Sequence, residues 1–221
     1  MTTMRAAAEA RGGQVRQRGD RPSKRQGADG GRPTARAHLA DIHLRAAEGD
    51  STMVRFDGHA SVTETPYEMY DFFGPYSEVV SAGAFDATLN RSDLDVPLVL
   101  GHDQMRRIAR TTNGSLQLSM DDHGLAVRAD MDTADRDVDY ILPKLRSGLI
   151  DEMSFAFRIT RGVWSPDYTE YRIDEVDIHR GDVAIVGFGA NPFTDAGARG
   201  EPEHDVRSAR AQLLLAIALG E

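Results

Sequence analysis

The sequence contains no cysteine and only one tryptophan among its 221 residues. Without thiols the chain cannot form disulfides, use a thiolate nucleophile or bind zinc through sulfur. No stretch approaches the roughly 18 uninterrupted apolar residues that a membrane-spanning helix needs. The basic N-terminus has no apolar segment behind it, as a secretory signal would have. We therefore expect an intracellular protein that has no membrane partner.

The charge is divided unevenly along the chain, whose formal net charge is -9. Residues 1–36 hold nine Lys or Arg and three Asp or Glu, which gives +6, whereas the remainder holds 17 basic and 32 acidic residues, which gives -15. Such a split is typical of a basic tail that contacts an anionic partner, and a solvated tail without a fixed partner is the alternative. A nucleic acid is not the expected partner, because the basic residues are not interleaved with aromatic ones.

The distribution of apolar residues divides the chain into three parts. Residues 1–37 are rich in Arg, Gly, Gln and Ala and cannot bury enough surface to offset the entropy of ordering. We predict a disordered basic tail over residues 1–45 and one folded domain over residues 46–197. Residues 198–221 form a helix-prone C-terminal tail, which is apolar enough that we expect it to dock on another surface.

Short strands outnumber helices in the folded part. Leu116 to Met131 alternates apolar and polar residues about the turn Asp121–Gly124, which predicts a hairpin. Residues 133–147 carry an apolar stripe at helical spacing and end before Gly148. Further strands are predicted at 96–100, 151–160, 169–177 and 182–188. This content predicts an α+β or mainly β domain, barrel-like, of about 150 residues.

The segment SGLIDEMSFAFR, residues 147–158, places a small hydroxyl in a bulky strand. Successive side chains of a strand point to opposite faces, so Met153, Phe155 and Phe157 share one face, and Ser154 and Ala156 share the other. Small neighbours leave room for a carbonyl carbon to approach a nucleophile to within about 3–3.5 Å. Ser154 is therefore a candidate nucleophile, and a serine that is merely hydrogen-bonded within a strand is the alternative.

A serine nucleophile needs a base and a group that orients the base. His102 follows the apolar run 96–100, so a rigid element would hold its imidazole at the edge of the core. Asp182 precedes another apolar strand and has a small residue, Ala184, two positions later. A structural histidine and a turn aspartate are the alternatives for these two positions.

Five ordered blocks resemble the prohead maturation proteases of tailed bacteriophages: vvSAGAFdaTL, vpLvLGHD, GLaVrAdmd, lrsGLIdEMSFAFR and DVAIVGFGANP. The resemblance covers about residues 50–195. It matches the family's Gly-Ala-Phe block, its His-Asp pair, its hairpin strand, its Gly-spacer-Ser-x-x-Phe block and its acidic block. The matching positions are Gly83 to Phe85, His102 and Asp103, Gly124 onward, Gly148 with Ser154 and Phe157, and Asp182 to Val186 followed by Ala190 to Pro192.

The resemblance implies a fold and a catalytic site. The family is similar to the herpesvirus assemblins, so a closed β-barrel with a few surrounding helices is implied. His102 would be the general base, Ser154 the nucleophile and Asp182 the third member. Two positions depart from the family pattern: Asp182 replaces a glutamate-like acid, and residues 187–189 read Gly-Phe-Gly. Assemblins use a second histidine as third member, so His179 is the alternative to Asp182.

The implied activity is that of a serine endopeptidase without a cofactor. Its substrates would be the scaffold domain of the phage major capsid protein and the protease itself, inside the procapsid in an infected or lysogenic bacterial cell. Both tails would suit self-cleavage or docking. A homodimer or higher oligomer stays open. Backbone N–H groups near Phe155, or a water held by one of Arg106, Arg107 and Arg110, are the candidates for oxyanion stabilisation.

Three other functions compete with the protease interpretation. One is a catalytically inactive structural or scaffold component of a phage procapsid. The second is a ligand-binding β-barrel, in which Ser154 and His102 would not pair. The third is a metal hydrolase using His59, His102, His123 and Asp103, although their spacing matches no familiar ligand motif.

Overall fold

The computed structural model of the protein describes residues 2–27, 35–37, 45–46 and 52–187. The predicted C-terminal tail at 198–221 and the end of the predicted domain lie outside these residues. The described part is mainly β with few helices. It contains three α-helices and twelve strands. The helices are α1 (Met4–Gln14), α2 (Asp86–Leu89) and α3 (Arg136–Arg146).

One sheet of eight strands carries the candidate site. Its main path runs β1 (Gln26–Gly27), β5 (Tyr67–Tyr70), β6 (Pro75–Val80), β12 (Glu170–Val186), β11 (Glu152–Trp164) and β2 (Ala35–Ala37). Strand β12, with 17 residues, is long enough to pair in parallel with β6 at its start and with β7 (Pro97–Leu100) at its end. Strand β7 also pairs antiparallel with β8 (Asp103–Arg110).

A second sheet of four antiparallel strands packs against the first. Its order is β3 (Arg45–Ala46), β4 (Met53–Val62), β10 (Gly124–Asp132) and β9 (Leu116–Met120). Strands β9 and β10 form the predicted hairpin. Alternate residues of β4 are buried, and Phe56 from this sheet shares one apolar core with Phe155 and Ile173 from the other. Helix α3 adds its apolar stripe to that core through Val138, Ile141, Leu142 and Leu145.

The predicted closed β-barrel is wrong for the part of the chain described here. Backbone ladders join strands within each sheet, and none of the described ladders joins one sheet to the other. The sheets share side chains in the core instead, as in a two-layer β fold. Periodicity in a sequence sets which face of a strand is buried but not whether the edges of two sheets close onto each other.

A buried arginine docks helix α1, which lies within the predicted N-terminal tail of residues 1–45, on the large sheet. The Arg11 guanidinium is fully buried and donates to both carboxylate oxygens of Asp71 at 2.8 Å each and to the carbonyl of Tyr168 at 2.8 Å. Its central carbon lies 4.6 Å from the centre of the Trp164 ring. An ion pair and a cation–π contact thus replace the apolar residues that the segment lacks.

A second arginine fixes the end of the same segment. Arg25 forms an ion pair with Glu78, whose side chain is fully buried and also accepts from the hydroxyls of Tyr67 and Tyr76. Burial alone would lower the Arg25 pKa, but the adjacent Glu78 carboxylate outweighs burial and raises it. Burial, and then the Glu78 charge, raises the pKa of both tyrosines. The network keeps a buried carboxylate satisfied.

Within the described ranges, no helix has the length and apolar character needed to cross a membrane.

Candidate active site

The ladder between β11 and β12 places two of the predicted site residues on one face. Ser154 lies opposite Ala184, and Ala156 lies opposite Asp182. Directly opposed residues of an antiparallel pair point to the same side, and residues two apart on one strand do so too. Ser154 and Asp182 are therefore diagonal neighbours on a face whose other members, Ala156 and Ala184, are small.

A glycine shapes the backbone just before Asp182. The register between the strands shifts after Ala156, so residues 178–181 bulge out of the ladder, and Arg180 has a φ of 60°. A Cβ on Gly181 would lie 1.9 Å from the carbonyl oxygen of Ala156. Only glycine permits this close approach, which re-aims the Asp182 side chain as β-bulges do next to active sites.

His102 lies in the two-residue turn between β7 and β8. Leu100 pairs with Asp103, and both residues between them, Gly101 and His102, have positive φ, 61° and 60°. Positive φ at both central positions is the geometry of a type I′ hairpin turn, where Asn-Gly is the usual sequence. A histidine in this region is uncommon and costs backbone strain, which is a feature of functional sites.

The turn brings His102 to Asp182. The distance from His102 Nδ1 to Asp182 Oδ1 is 2.6 Å, and Asp182 is nearly completely buried. Asp182 as a carboxylate can only accept, so Nδ1 carries the proton and Nε2 carries the lone pair when the ring is neutral. Nε2 is buried and has no hydrogen-bond partner among the described residues. The imidazole is thus oriented to accept a proton at Nε2.

The alternative third member, His179, lies elsewhere. Its Nδ1 accepts a hydrogen bond from the backbone N–H of Asp95 at 3.2 Å. Three positions separate His179 from Asp182, and the bulge at residues 178–181 does not bring both to His102. Of these two candidates, Asp182 is the one that contacts His102 in the structure.

Ser154 is fully buried, and a strand from the N-terminal region lies beside it. Residues Ala35–Ala37 pair antiparallel with Met153–Phe155, and Arg36 stands directly opposite Ser154 in the register. This strand covers the backbone edge of β11 that does not face β12. Because Ser154 has no exposed surface, a peptide carbonyl can reach it only if its surroundings move.

Gln104 is a site residue that the sequence reasoning missed. Its Nε2 donates to Asp182 Oδ2 at 2.6 Å, so the two carboxylate oxygens are divided between His102 and Gln104. Arg107 in turn donates to the Gln104 carbonyl at 2.8 Å and to Gln104 Oε1 at 3.2 Å. Gln104 stands two positions after His102, but one residue lies in a turn and the other in a bulge, so strand alternation gives no signal for it.

The three arginines considered for oxyanion stabilisation each hold another side chain. Arg106 pairs with Asp137, and Arg107 contacts Gln104. Arg110 binds both oxygens of Asp95 at 2.7 Å, and this contact holds the pKa of the Asp95 carboxyl below its ordinary value. Each arginine thus has a side-chain partner, while the backbone near Phe155 is paired with β12 on one side and with residues 35–37 on the other.

The four residues of the metal-hydrolase alternative do not form one cluster, although His59 and His123 are neighbours. His59 Nε2 lies 2.6 Å from Asp121 Oδ2 and its ring is 5.7 Å from that of His123, whereas His102 contacts Asp182. Within residues 2–27 and 52–187, no group of three or more His, Cys, Asp or Glu side chains is placed to hold a metal ion.

Comparison with known proteins gives one match. No curated protein and no solved structure matches the chain. The family model described as caudovirus prohead serine protease matches residues 40–205, which is most of the chain and includes His102, Ser154 and Asp182. The chain therefore belongs to the caudovirus prohead serine protease family.

Proposed function

We propose that the protein is a phage head-maturation endopeptidase in which Ser154 is the nucleophile, His102 the general base and Asp182 the orienting acid. The observation that carries the proposal is the 2.6 Å contact between His102 Nδ1 and Asp182, a residue that shares a strand face with Ser154. Nε2 of His102 has no hydrogen-bond partner among the described residues. Family membership supports serine-protease chemistry, and the geometry supports this choice of residues.

The proposed mechanism follows from the orientation of the imidazole. Ser154 Oγ attacks the scissile carbonyl carbon while His102 Nε2 accepts the hydroxyl proton, and Asp182 stabilises the imidazolium that forms. His102 then gives the proton to the leaving amine, and water hydrolyses the acyl-enzyme. Donors for the oxyanion are required, since losing one costs about 2.7–4 kcal/mol of barrier. Backbone N–H groups near Phe155, which would have to leave a strand ladder, and a water held by one of Arg106, Arg107 and Arg110 are the two proposed donors.

The proposed substrate is the scaffold domain of the phage major capsid protein. Cleavage would take place inside the procapsid, in an infected or lysogenic bacterial cell, where the packaged protease meets its substrate at high local concentration. Family membership supports this assignment. The protease domain is proposed to span residues 46–197, with residues 198–221 as a docking or self-cleaved tail. A homodimer or higher oligomer remains a proposal.

The N-terminal strand supports self-cleavage. Residues 35–37 already lie as an added antiparallel strand along β11, with Arg36 opposite Ser154, as a bound peptide would. They precede the family-matched region, which begins at residue 40. Arg11 and Arg25 attach residues 2–27 to the body by buried ion pairs, so this part of the chain presents the following segment to β11 at high effective concentration.

One observation favours the second candidate, a catalytically inactive procapsid component. Ser154 has no exposed surface, so this conformation does not accept substrate. Under the protease proposal, the precursor is closed and opens when the N-terminal region is displaced or cut. Under the alternative, the serine is buried permanently.

Co-expression with the capsid gene of the same phage distinguishes the two. Intact masses of both products are measured for the wild type, for Ser154→Ala and for Ser119→Ala, a matched change at an exposed serine of β9 in the other sheet. We expect trimmed capsid protein and a shortened protease in the wild type and Ser119→Ala, and full-length products in Ser154→Ala. Equal trimming in Ser154→Ala overturns the nucleophile assignment, and full-length products throughout favour the inactive component.

A further inference from the structure

We propose that Gln104 and Arg107 are positioning residues, which fix the carboxylate of Asp182 so that it holds His102. The inference rests on the proposed function and extends it beyond the three residues of the triad. Neither residue contacts the reacting atoms, and both act through Asp182.

The Asp182 carboxylate has two oxygens, and each accepts a hydrogen bond from a different residue. Oδ1 faces His102 Nδ1 and Oδ2 faces Gln104 Nε2, both at 2.6 Å. A carboxylate held at one oxygen can rotate about its terminal torsion, which has a broad energy minimum. A donor at the second oxygen removes that freedom, and hydrogen bonds to a charged acceptor are the strong ones.

Arg107 determines which end of the Gln104 amide faces Asp182. An amide presents either its oxygen or its nitrogen, and the guanidinium of Arg107 can only donate. Arg107 Nη2 lies 3.2 Å from Gln104 Oε1, and so the amide oxygen faces the arginine and the amide nitrogen faces the carboxylate. In the flipped orientation, donor would face donor and acceptor would face acceptor.

A bulge in the backbone around Gln104 favours the contact between Gln104 and Asp182. The register between β7 and β8 passes from Leu100 opposite Asp103 to Val99 opposite Arg107, so residues 104–106 bulge out of the ladder. Arg107 Nε closes the bulge by donating to the Gln104 carbonyl at 2.8 Å, and the Asp103 carboxylate accepts from the N–H of Met105 at 2.9 Å. A bulge re-aims a side chain, here toward Asp182.

Both side chains are exposed, which separates their proposed role from a structural one. Gln104 and Arg107 line a surface cleft with Arg110 and Arg180. Substitutions at exposed positions usually change stability little. A large loss of activity at Gln104 without a loss of stability would therefore reflect the position of Asp182.

The test compares full-length variants that differ only in what position 104 offers to Asp182. Gln104→Met keeps the length and removes the donor, Gln104→Glu replaces the donor with an acceptor, and Gln104→Lys restores a donor. Met105→Gln, at a side chain that is 90% exposed in the same bulge, is the control. We measure kcat and KM on a peptide cut by the wild type, together with the urea midpoint of each variant.

We expect kcat to fall about tenfold in Gln104→Met and further in Gln104→Glu, with KM unchanged, as for a lost hydrogen bond to a charged group. Gln104→Lys should recover most of kcat, and Arg107→Met should lose about threefold because the amide is then free to flip. Met105→Gln should match the wild type. Unchanged kcat in Gln104→Met, or a fall matched by Met105→Gln, overturns the inference.

A second readout is independent of activity. In ¹⁵N-histidine-labelled protein carrying Ser154→Ala, the Nδ1 proton of His102 that is shared with Asp182 should give a low-field resonance, which Gln104→Met broadens and Gln104→Lys retains. If the resonance responds in this way and no variant cleaves peptide, the positioning role stands and the protease proposal fails. If Ser154→Ala abolishes cleavage and Gln104→Met leaves the resonance unchanged, the protease proposal stands and the positioning role of Gln104 fails.

Discussion

His102 and Asp182 lie 80 positions apart in the chain, and their side chains meet at 2.6 Å. Two local distortions make this contact. A type I′ turn places His102 beyond the end of β7, and a bulge at residues 178–181, which requires Gly181, redirects the side chain of Asp182. The parallel pairing of β7 with β12 brings the two segments side by side, and these irregularities aim the side chains at each other.

Asp182→Asn should remove most of the activity and leave the fold intact. An amide of the same shape can donate to Nδ1 and so favours the wrong tautomer of His102, which in the best-known serine protease lowers kcat by about 10⁴-fold. His179→Ala should leave kcat near the wild-type value, because His179 contacts the backbone of Asp95 instead. Steady-state kinetics on a peptide checks both. Loss of activity in His179→Ala with full activity in Asp182→Asn would reverse the assignment.

His102→Gly should be more stable than His102→Ala, although both should be inactive. The φ of 60° at this position disfavours any residue with a Cβ, and relief of that strain is worth about 1–2 kcal/mol. The difference in free energy of unfolding between the two variants, measured by urea titration, checks the prediction. Equal stabilities would show that the turn relaxes when the imidazole is removed.

Gly181→Ala should lower kcat about 100-fold, because a Cβ placed 1.9 Å from the Ala156 carbonyl must displace the backbone that carries Asp182. Gly124→Ala is the matched control. A Cβ at Gly124 would lie 1.9 Å from the Ser61 carbonyl, but in the other sheet. Both variants should be destabilised, and only the first should lose activity beyond its loss of folded protein. Comparable kcat values per folded molecule would contradict this.

Arg11→Ala should lower the free energy of unfolding by about 3–5 kcal/mol, because it leaves the Asp71 carboxylate buried without its partner. Arg5→Ala changes the same helix at a side chain that is 90% exposed and should cost less than about 0.5 kcal/mol. Urea unfolding followed by Trp164 fluorescence reports both, since Arg11 packs on that ring. Equal effects would show that the N-terminal segment is not docked in solution.

Local patterns predicted much of the fold correctly. Alternation located the hairpin of β9 and β10, and the stripe at 133–147 located α3, which begins at Arg136 with Asp135 as its cap. The mainly β class followed from the same patterns. The closed barrel came from the resemblance to a family, and the described sheets do not close. Edge-to-edge contacts join residues distant in the chain, and periodicity does not encode them.

The N-terminal segment shows a second limit of prediction from sequence. Residues 2–27 have too few apolar side chains to fold alone, which made disorder the expectation. Arg11 and Arg25 bury their charges against Asp71 and Glu78 instead, and each carboxylate lies more than 45 positions away from its arginine. Composition counts the charges of a segment but does not show where their partners lie. The predicted meeting of His102 with Asp182 occurs in the structure, while Gln104 needed coordinates to be found.

The most direct measurement of the central claim is covalent labelling by a fluorophosphonate, which loses fluoride to an activated serine hydroxyl. A preparation that trims capsid protein is labelled and digested with trypsin, which releases residues 147–158 as one peptide containing Ser147 and Ser154. We expect the adduct on Ser154 in the wild type and none in His102→Ala. An adduct on Ser147 or elsewhere, or no adduct in a preparation that cleaves its substrate, would contradict the account.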